Sequence, residues 1–372
     1  MLVGVPKEIK DREDRVGLVP ASVRELVAHG HQVLVETLAG RGIGMDDATY
    51  RAAGAEVVDT ADEVFSRADM IVKVKEPQAA ERRRLRENQI LFTYLHLAPD
   101  PDQARDLMAS GATSIAYETV TAANGTLPLL APMSEVAGRM APQVGAHSLE
   151  NAAGGMGVLL GGVPGVLPAE VVILGGGVAG TNAAMVAIGL GADVTVIERS
   201  LDVLRRLVAT FGSRIKTAHS NRDNIARLVT GADLVISTVL IPGAAAPKLI
   251  TREMVSNMKR GSVLVDVAID QGGASETSKA TTHTDPTYVV DGVIHYCVAN
   301  MPGGVARTST FALNNATLPF TLALADKGWK QALADDPHLA AGLNVHAGKI
   351  TYKAVSDALG LDYLDTERVL AA

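Results

Sequence analysis

The stretch 171–200, VVILGGGVAGTNAAMVAIGLGADVTVIERS, constrains this chain more than any other. An uncharged, mostly β-branched run at 171–174 leads into Gly175, Gly177 and Gly180 at the spacing G-x-G-x-x-G. Ala and Met at helical spacing follow, then Gly189 and Gly191 as a stop, then a second apolar run ending at Glu198. Gly175 permits a tight turn, Gly177 lets backbone approach a pyrophosphate, and Gly180 lets helix and strand pack closely. The helix N-terminus that follows offers unpaired N–H groups and partial positive charge to phosphates. Glu198 stands about 20 residues on, where a carboxylate can accept ribose hydroxyls. Strand, helix, second strand and terminal acid together predict dinucleotide binding. Residues 171–192 carry no charge over a length that could span a bilayer. Six glycines, Thr181 and Asn182 fit a buried parallel strand and its helix better. A carboxylate at 198 repels a 2′-phosphate and favours NAD, although Arg199 could attract one.

At 372 residues the chain can form two domains with full cores. Aromatics make up only 3%, so those cores are aliphatic. A net charge of −7 gives no reason to expect nucleic acid or an anionic membrane as partner. The single cysteine, Cys297, excludes an internal disulfide and suits a reducing cytoplasm. No basic-plus-apolar leader precedes the first strand pattern, so a cytoplasmic location is expected.

Strand patterns at 2–5, 31–36, 70–74, 89–94 and 113–117 alternate with helical ones at 20–29, 46–53, 78–86 and 101–110. Such alternation means βαβ units and a parallel sheet. This first α/β region has no glycine fingerprint, which makes it a candidate substrate domain. A helical run with Pro142 inside it covers 134–150, and a Gly/Pro-rich linker covers 152–168. Strands at 171, 193–197, 214–217, 233–237 and 262–267, with helices at 179–189, 201–211, 222–230 and 251–258, build the cofactor domain. A long helix is expected at 308–326, and the C-terminal helices should return to the first domain. The expected fold class is α/β, with two Rossmann-like doubly wound domains, a cleft between them and long helices joining them. Residues 1–128 with 307–372 form the substrate domain, and 129–306 the NAD-binding domain.

Ligands bind such sheets beyond the carboxyl ends of the strands. Arg15, Lys75, His96 and Asp270 each follow an expected strand. Two cations, an imidazole and a carboxylate suit a small anionic substrate. Arg grips a carboxylate through two parallel hydrogen bonds, and His exchanges protons near neutrality. Each residue also has an ordinary explanation. Arg15 could pair with Asp11, Glu13 or Asp14 on the surface, Lys75 could be a solvated strand end, His96 could be structural, and Asp270 a turn residue.

Several long stretches decide among these alternatives: VGVPKEIK with Arg15, VKVKEP at 72–77, ILFTYLHLA at 90–98, AYET at 116–119, LPLLAPMSEVAGRMAPQVGA at 127–146, LLGGVPGV at 159–166, VDVAIDQGG at 265–273 and VANMPG at 298–303. Through them the chain resembles the alanine dehydrogenase and pyridine nucleotide transhydrogenase family over essentially its whole length. The resemblance implies reversible, NAD-dependent oxidative deamination of L-alanine to pyruvate and ammonia. It implies substrate binding by Arg15 and Lys75 and catalysis by His96 and Asp270. It places the cofactor on Ser134, Gly175, Gly177, Val178, Ala179, Gly180, Glu198, Ser220, Val239, Leu240, Val267, Ala268, Ile269, Asp270, Lys279, Val298, Ala299, Asn300 and Met301. It further implies a homohexamer. The chain departs from the family pattern in places: Glu198 where Asp is common, Val203 for a basic residue, Lys279 for Arg, and Gly304 and Ala306 for Ala and Pro. Ala323 and Lys327 replace a magnesium pair, so no metal is expected there. Two rival readings are the soluble NAD-binding component of a proton-translocating transhydrogenase and a non-enzymatic NAD-binding protein.

Overall fold

Buried strands arise here where short runs of Val, Ile and Leu lie between turn residues. The structure, a computed structural model, describes residues 1–239 and 246–371. Leu240, expected at the cofactor, lies outside the described residues. The strands are β1 (Leu2–Val5), β2 (Gln32–Glu36), β3 (Glu56–Val58), β4 (Met70–Val72), β5 (Ile90–Thr93), β6 (Thr113–Ala116), β7 (Glu170–Leu174), β8 (Asp193–Glu198), β9 (Lys216–His219), β10 (Leu234–Ser237), β11 (Val263–Asp266), β12 (Thr287–Val290), β13 (Val293–Tyr296), β14 (Leu343–His346) and β15 (Lys349–Ile350). Several helices between them carry a side-chain cap at the N-terminus. Asp46, Thr60, Asp100, Ser200, Asn221 and Thr251 each accept a backbone N–H of the first turn of the helix they precede.

The chain divides into two units, residues 1–133 with 305–372, and residues 134–304. The first unit holds a sheet in the order β15-β14-β6-β5-β4-β1-β2-β3. Its strands β1 to β6 are parallel, while β14 and β15 run antiparallel at one edge. Read from β3, the parallel part is 3-2-1-4-5-6, the doubly wound order with its switch point between β1 and β4. The second unit repeats that scheme as β9-β8-β7-β10-β11-β13-β12, with only β12 antiparallel. Both units are therefore Rossmann-like α/β sheets. Their cores are aliphatic, as the composition requires. Leu34, Ile71, Leu91 and Val345 pack in the first, and Val172, Leu174, Val235 and Leu264 in the second.

The sequence patterns hold no counterpart of β3, the helix Ala61–Arg67, the hairpin β12–β13 or the edge strands β14 and β15. β3 is three residues long, and the helix Ala61–Arg67 is two turns, both too short for a clear period. The hairpin β12–β13 did have a signal. Asp291-Gly292 forms its turn, with both residues at positive φ, as a two-residue hairpin loop requires. Conversely, the helix expected over 78–86 is a single turn, Ala79–Arg82.

Where the second unit has a glycine loop at its switch point, the first buries charge. Lys73 Nζ lies 2.9 Å from Glu8 Oε2 and 2.8 Å from Glu81 Oε1, and all three side chains are 2% exposed or less. Burial disfavours the ammonium, but the two carboxyls outweigh it and raise its pKa; burial raises that of Glu8. Replacing Lys73 with Met should cost on the order of 3–5 kcal/mol, because two buried carboxyls lose their cation. Urea unfolding followed through Trp329, which lies in the same unit, measures this. Adding Glu8→Gln and Glu81→Gln should recover most of the loss; an unchanged midpoint in the single variant would show that the triad contributes nothing net.

Candidate active site

In the second unit every expected cofactor contact among the described residues, outside Ser134 and Lys279, lies at or beyond the carboxyl end of a strand. Gly175–Gly180 follow β7, Glu198 ends β8, Ser220 follows β9, Val239 follows β10, 267–270 follow β11, and Val298–Met301 follow β13. Adjacent parallel strands bring these ends to one edge. The glycines fit a dinucleotide. Gly175 has φ +96°, which a side chain would strain. A Cβ on Gly180 would stand 1.9 Å from the Gly175 carbonyl oxygen. A Cβ on Gly177 would meet nothing within 4 Å, so space is open where a phosphate would lie. Gly177 is the N-cap of the helix Val178–Gly189, whose first N–H groups have no partner within the helix.

Glu198 ends β8 as expected, but it also holds backbone. Its Oε2 accepts from the Gly176 N–H at 2.8 Å, and its Oε1 from the N–H groups of Arg199 and Ser200 at 2.6 and 2.9 Å. Burial works to raise its pKa, and these three donors outweigh it and hold the carboxyl below the usual glutamate value. Arg206, one helical turn beyond Val203, donates to the Gly176 carbonyl at 3.1 Å. Lys279 Nζ lies 5.3 Å over the Tyr288 ring, and the Lys279 N–H donates to the Tyr288 hydroxyl at 2.7 Å. Asp270 is exposed, and its Oδ1 accepts from the Asn300 N–H at 3.3 Å. Asn300 itself has φ +60°.

In the first unit the expected ionisable groups follow neighbouring strands. Arg15 lies in the segment after β1, Lys75 after β4 and His96 after β5. Arg15 does pair with Glu13, but not on the surface. Its Nε and Nη2 each donate to a Glu13 oxygen at 2.6 Å, and both side chains are 2% exposed or less. Burial disfavours the guanidinium, yet the Glu13 carboxylate keeps it firmly charged. Its Nη1 meets Met133 Sδ at 3.1 Å. A cavity of about 320 Å³ opens beside it, lined by Lys7, Glu8, Asp14, Leu38 and Arg41 among others; Lys75 and His96 do not line it. Glu8 Oε1 accepts the N–H groups of Val74 and Lys75 at 2.7 and 3.3 Å and so fixes the backbone that carries Lys75.

His96 sits at φ +50°, a conformation that costs a non-glycine residue of order 1 kcal/mol and marks a constrained site. Glu118, after β6, holds it there. Its carboxylate accepts the His96 N–H at 2.6 Å and the Leu95 N–H at 3.2 Å, and Oε1 stands 3.9 Å from His96 Nδ1. The imidazole lies parallel to the Tyr94 ring, with centroids 5.7 Å apart. Tyr94 in turn feels the charges of both Arg15 and Glu118, while burial pushes its pKa up. Glu118 is the candidate site residue that sequence reasoning missed. It lies in the AYET stretch, and no spacing rule connects it to a histidine 22 residues earlier.

Known proteins match the chain along nearly its whole length. The profile of the alanine dehydrogenase/PNT N-terminal domain matches residues 4–137, and that of the alanine dehydrogenase/PNT C-terminal domain matches 141–353. An alanine dehydrogenase of Halomonas elongata is 61% identical over 370 residues, covering 100% of both chains. A solved L-alanine dehydrogenase matches with a TM-score of 0.94 and 53% identity, covering 97% of this chain and 99% of that one. A solved transhydrogenase from Sinorhizobium meliloti matches with a TM-score of 0.82 and 28% identity, covering 95% and 100%.

The lowered pKa of Glu198 has a testable sign. Its contribution to stability is fully present above the ordinary value of 4.5 and is lost as pH falls through the lower folded value. The gap in melting temperature between the native chain and Glu198→Gln should therefore be largest near neutrality and shrink in acid. A gap independent of pH would mean that the contribution is steric rather than ionic.

Proposed function

The chain belongs to the alanine dehydrogenase/PNT family, and from that premise we propose that it converts L-alanine to pyruvate and ammonia, reversibly, with NAD. The observation that carries the reading is the placement of Arg15, Lys75 and His96 beyond the ends of the adjacent strands β1, β4 and β5. The Glu13 pair orients the Arg15 fork, and we assign its Nη1–Nη2 edge to the substrate carboxylate. Lys75 holds the carboxylate or the developing carbonyl oxygen. The bound dinucleotide supplies the hydride acceptor for the substrate Cα. Water adds to the resulting substrate imine, and His96 exchanges protons with the new hydroxyl as the carbinolamine collapses. Asp270 orients the amine or water.

We assign the pyrophosphate to Gly175, Gly177, Val178, Ala179 and Gly180, and the adenosine ribose to Glu198. The other contacts would come from Ser134, Ser220, Val239, Val267, Ala268, Ile269, Lys279, Val298, Ala299, Asn300 and Met301. The charged state of Glu198 supports NAD over NADP, since a carboxylate repels a 2′-phosphate. In this reading 1–128 with 307–372 act as the substrate domain and 129–306 as the NAD-binding domain. The family resemblance supports a homohexamer in the cytoplasm, which sedimentation and fractionation test. No helix among the described residues is long and apolar enough to cross a membrane.

NADH formation from L-alanine and NAD, run across small amino acids with NADP in parallel, tests the activity. His96→Ala should lower turnover by on the order of 10²–10⁴ with NADH binding retained. Full turnover in that variant would remove the acid–base role from His96. NADH binding with no turnover in the native chain would favour the transhydrogenase or binding-protein reading.

A further inference from the structure

We infer that Asp266 is the positioning residue that places Asp270, an inference that rests on the catalytic role proposed for Asp270 above. Asp266 is the last residue of β11 and is wholly buried. Its two oxygens face different parts of the chain. Oδ1 accepts the Ala268 N–H at 3.1 Å, in the outgoing turn Val267–Gln271. Oδ2 accepts the N–H groups of Ala274 and Ser275 at 2.8 and 3.4 Å, together with the Ser278 hydroxyl. One carboxyl thus closes both ends of the excursion on which Asp270 rides.

The surroundings are shaped to that carboxyl. Gly273 has φ +75°, and a Cβ there would stand 2.8 Å from Asp266 Oδ2 and 2.6 Å from Ser278 Cβ. Within the excursion, the Gly272 N–H donates to the Ile269 carbonyl at 2.9 Å and the Gly273 N–H to the Ala268 carbonyl at 3.1 Å. These two bonds make the turn compact, and Asp266 anchors that compact piece to the strand. On its other side, Asp270 meets the Asn300 N–H. Asp270 is exposed and lies inside the turn Val267–Gln271, so its placement follows the turn.

The chemistry demands a carboxyl. Donors converge on both oxygens, and only a carboxyl offers acceptors on both sides. The amide of Asp266→Asn would turn an N–H₂ toward one of the two sets of donors. That change shifts the turn without opening the core of the sheet. A shift of about 1 Å at a reacting group costs on the order of 10²-fold in rate.

The test uses the full chain with L-alanine and NAD. Asp266→Asn, Ser278→Ala, Asp270→Asn and the double variant Asp266→Asn/Asp270→Asn are compared for kcat, KM, NADH affinity and melting temperature. Asp266→Asn should lose about 10²-fold in kcat, far more than it loses in NADH affinity. Ser278→Ala should show a smaller fall of the same kind. If Asp266 acts through Asp270, the double variant is no slower than Asp270→Asn alone. Native kcat in Asp266→Asn, or losses that multiply in the double variant, would overturn the inference. Should Asp266→Asn fail to fold, Ser278→Ala in the native and Asp270→Asn backgrounds carries the same comparison, and native kcat there overturns it equally. Native turnover in Asp270→Asn by itself would instead sink the proposed role of Asp270, a result distinguishable because Asp266 is untouched.

Discussion

A run of parallel strands delivers the same end of every segment to one edge of its sheet, and both units here depend on that constraint. Helices return the chain to the other edge after each strand, so the segments after the carboxyl ends collect together. In the second unit that edge carries the glycine turn, Glu198, Ser220, Val239 and the segments after β11 and β13. In the first it carries Arg15, Lys75, His96 and Glu118, from the adjacent strands β1, β4, β5 and β6. Arg15 and Glu118, more than a hundred positions apart, share that edge because the chain crosses over between β1 and β4.

Such an edge has a cost that the structure meets in a consistent way. Strand ends and tight turns leave backbone N–H groups without ladder partners. Carboxyls near the strand ends take them up, often from a neighbouring strand's segment. Glu36, ending β2, accepts the Lys7 N–H after β1. Glu8, after β1, accepts the N–H groups of Val74 and Lys75 after β4. Glu118, after β6, accepts those of Leu95 and His96 after β5. Glu198, ending β8, accepts that of Gly176 after β7. Glu36 and Glu198 end the second strand of their respective units, so one acid position serves both sheets. In the first unit that acid holds the Lys7 backbone; the second has a glycine turn beside it that fits a dinucleotide.

The two switch points then diverge. Between β7 and β10 the glycines leave open space and helix N–H groups without a partner inside the helix. Between β1 and β4 Lys73 fills the corresponding place, clamped by Glu8 and Glu81. That buried triad ties the backbone before Lys75 to the segment after β1. One fold thus supplies a surface suited to phosphates in one unit and a rigid frame for reactive side chains in the other.

Much of the fold was legible from residue order alone. Aliphatic runs between capped helices marked most strands, and the spacing of Gly175, Gly177 and Gly180 with Glu198 marked the dinucleotide turn. These features are local, so their physical cause lies within a few residues. The elements without a counterpart in the sequence patterns are short, like β3, or flank a two-residue turn, as β12 and β13 flank Asp291-Gly292. Strand order was a different matter. Nothing near Arg15 in the sequence tells whether β1 pairs with β4, and so nothing tells that Lys75 lies on the neighbouring strand. The partners of the site residues were equally hidden: Glu13 buried against Arg15, Glu118 beneath a left-handed His96, and Asp266 across its own turn. Amino-acid order settled the local conformations and the chemistry on offer. Only the folded chain decided which carboxyl neutralises which donor, because that choice depends on pairings made across long stretches of sequence.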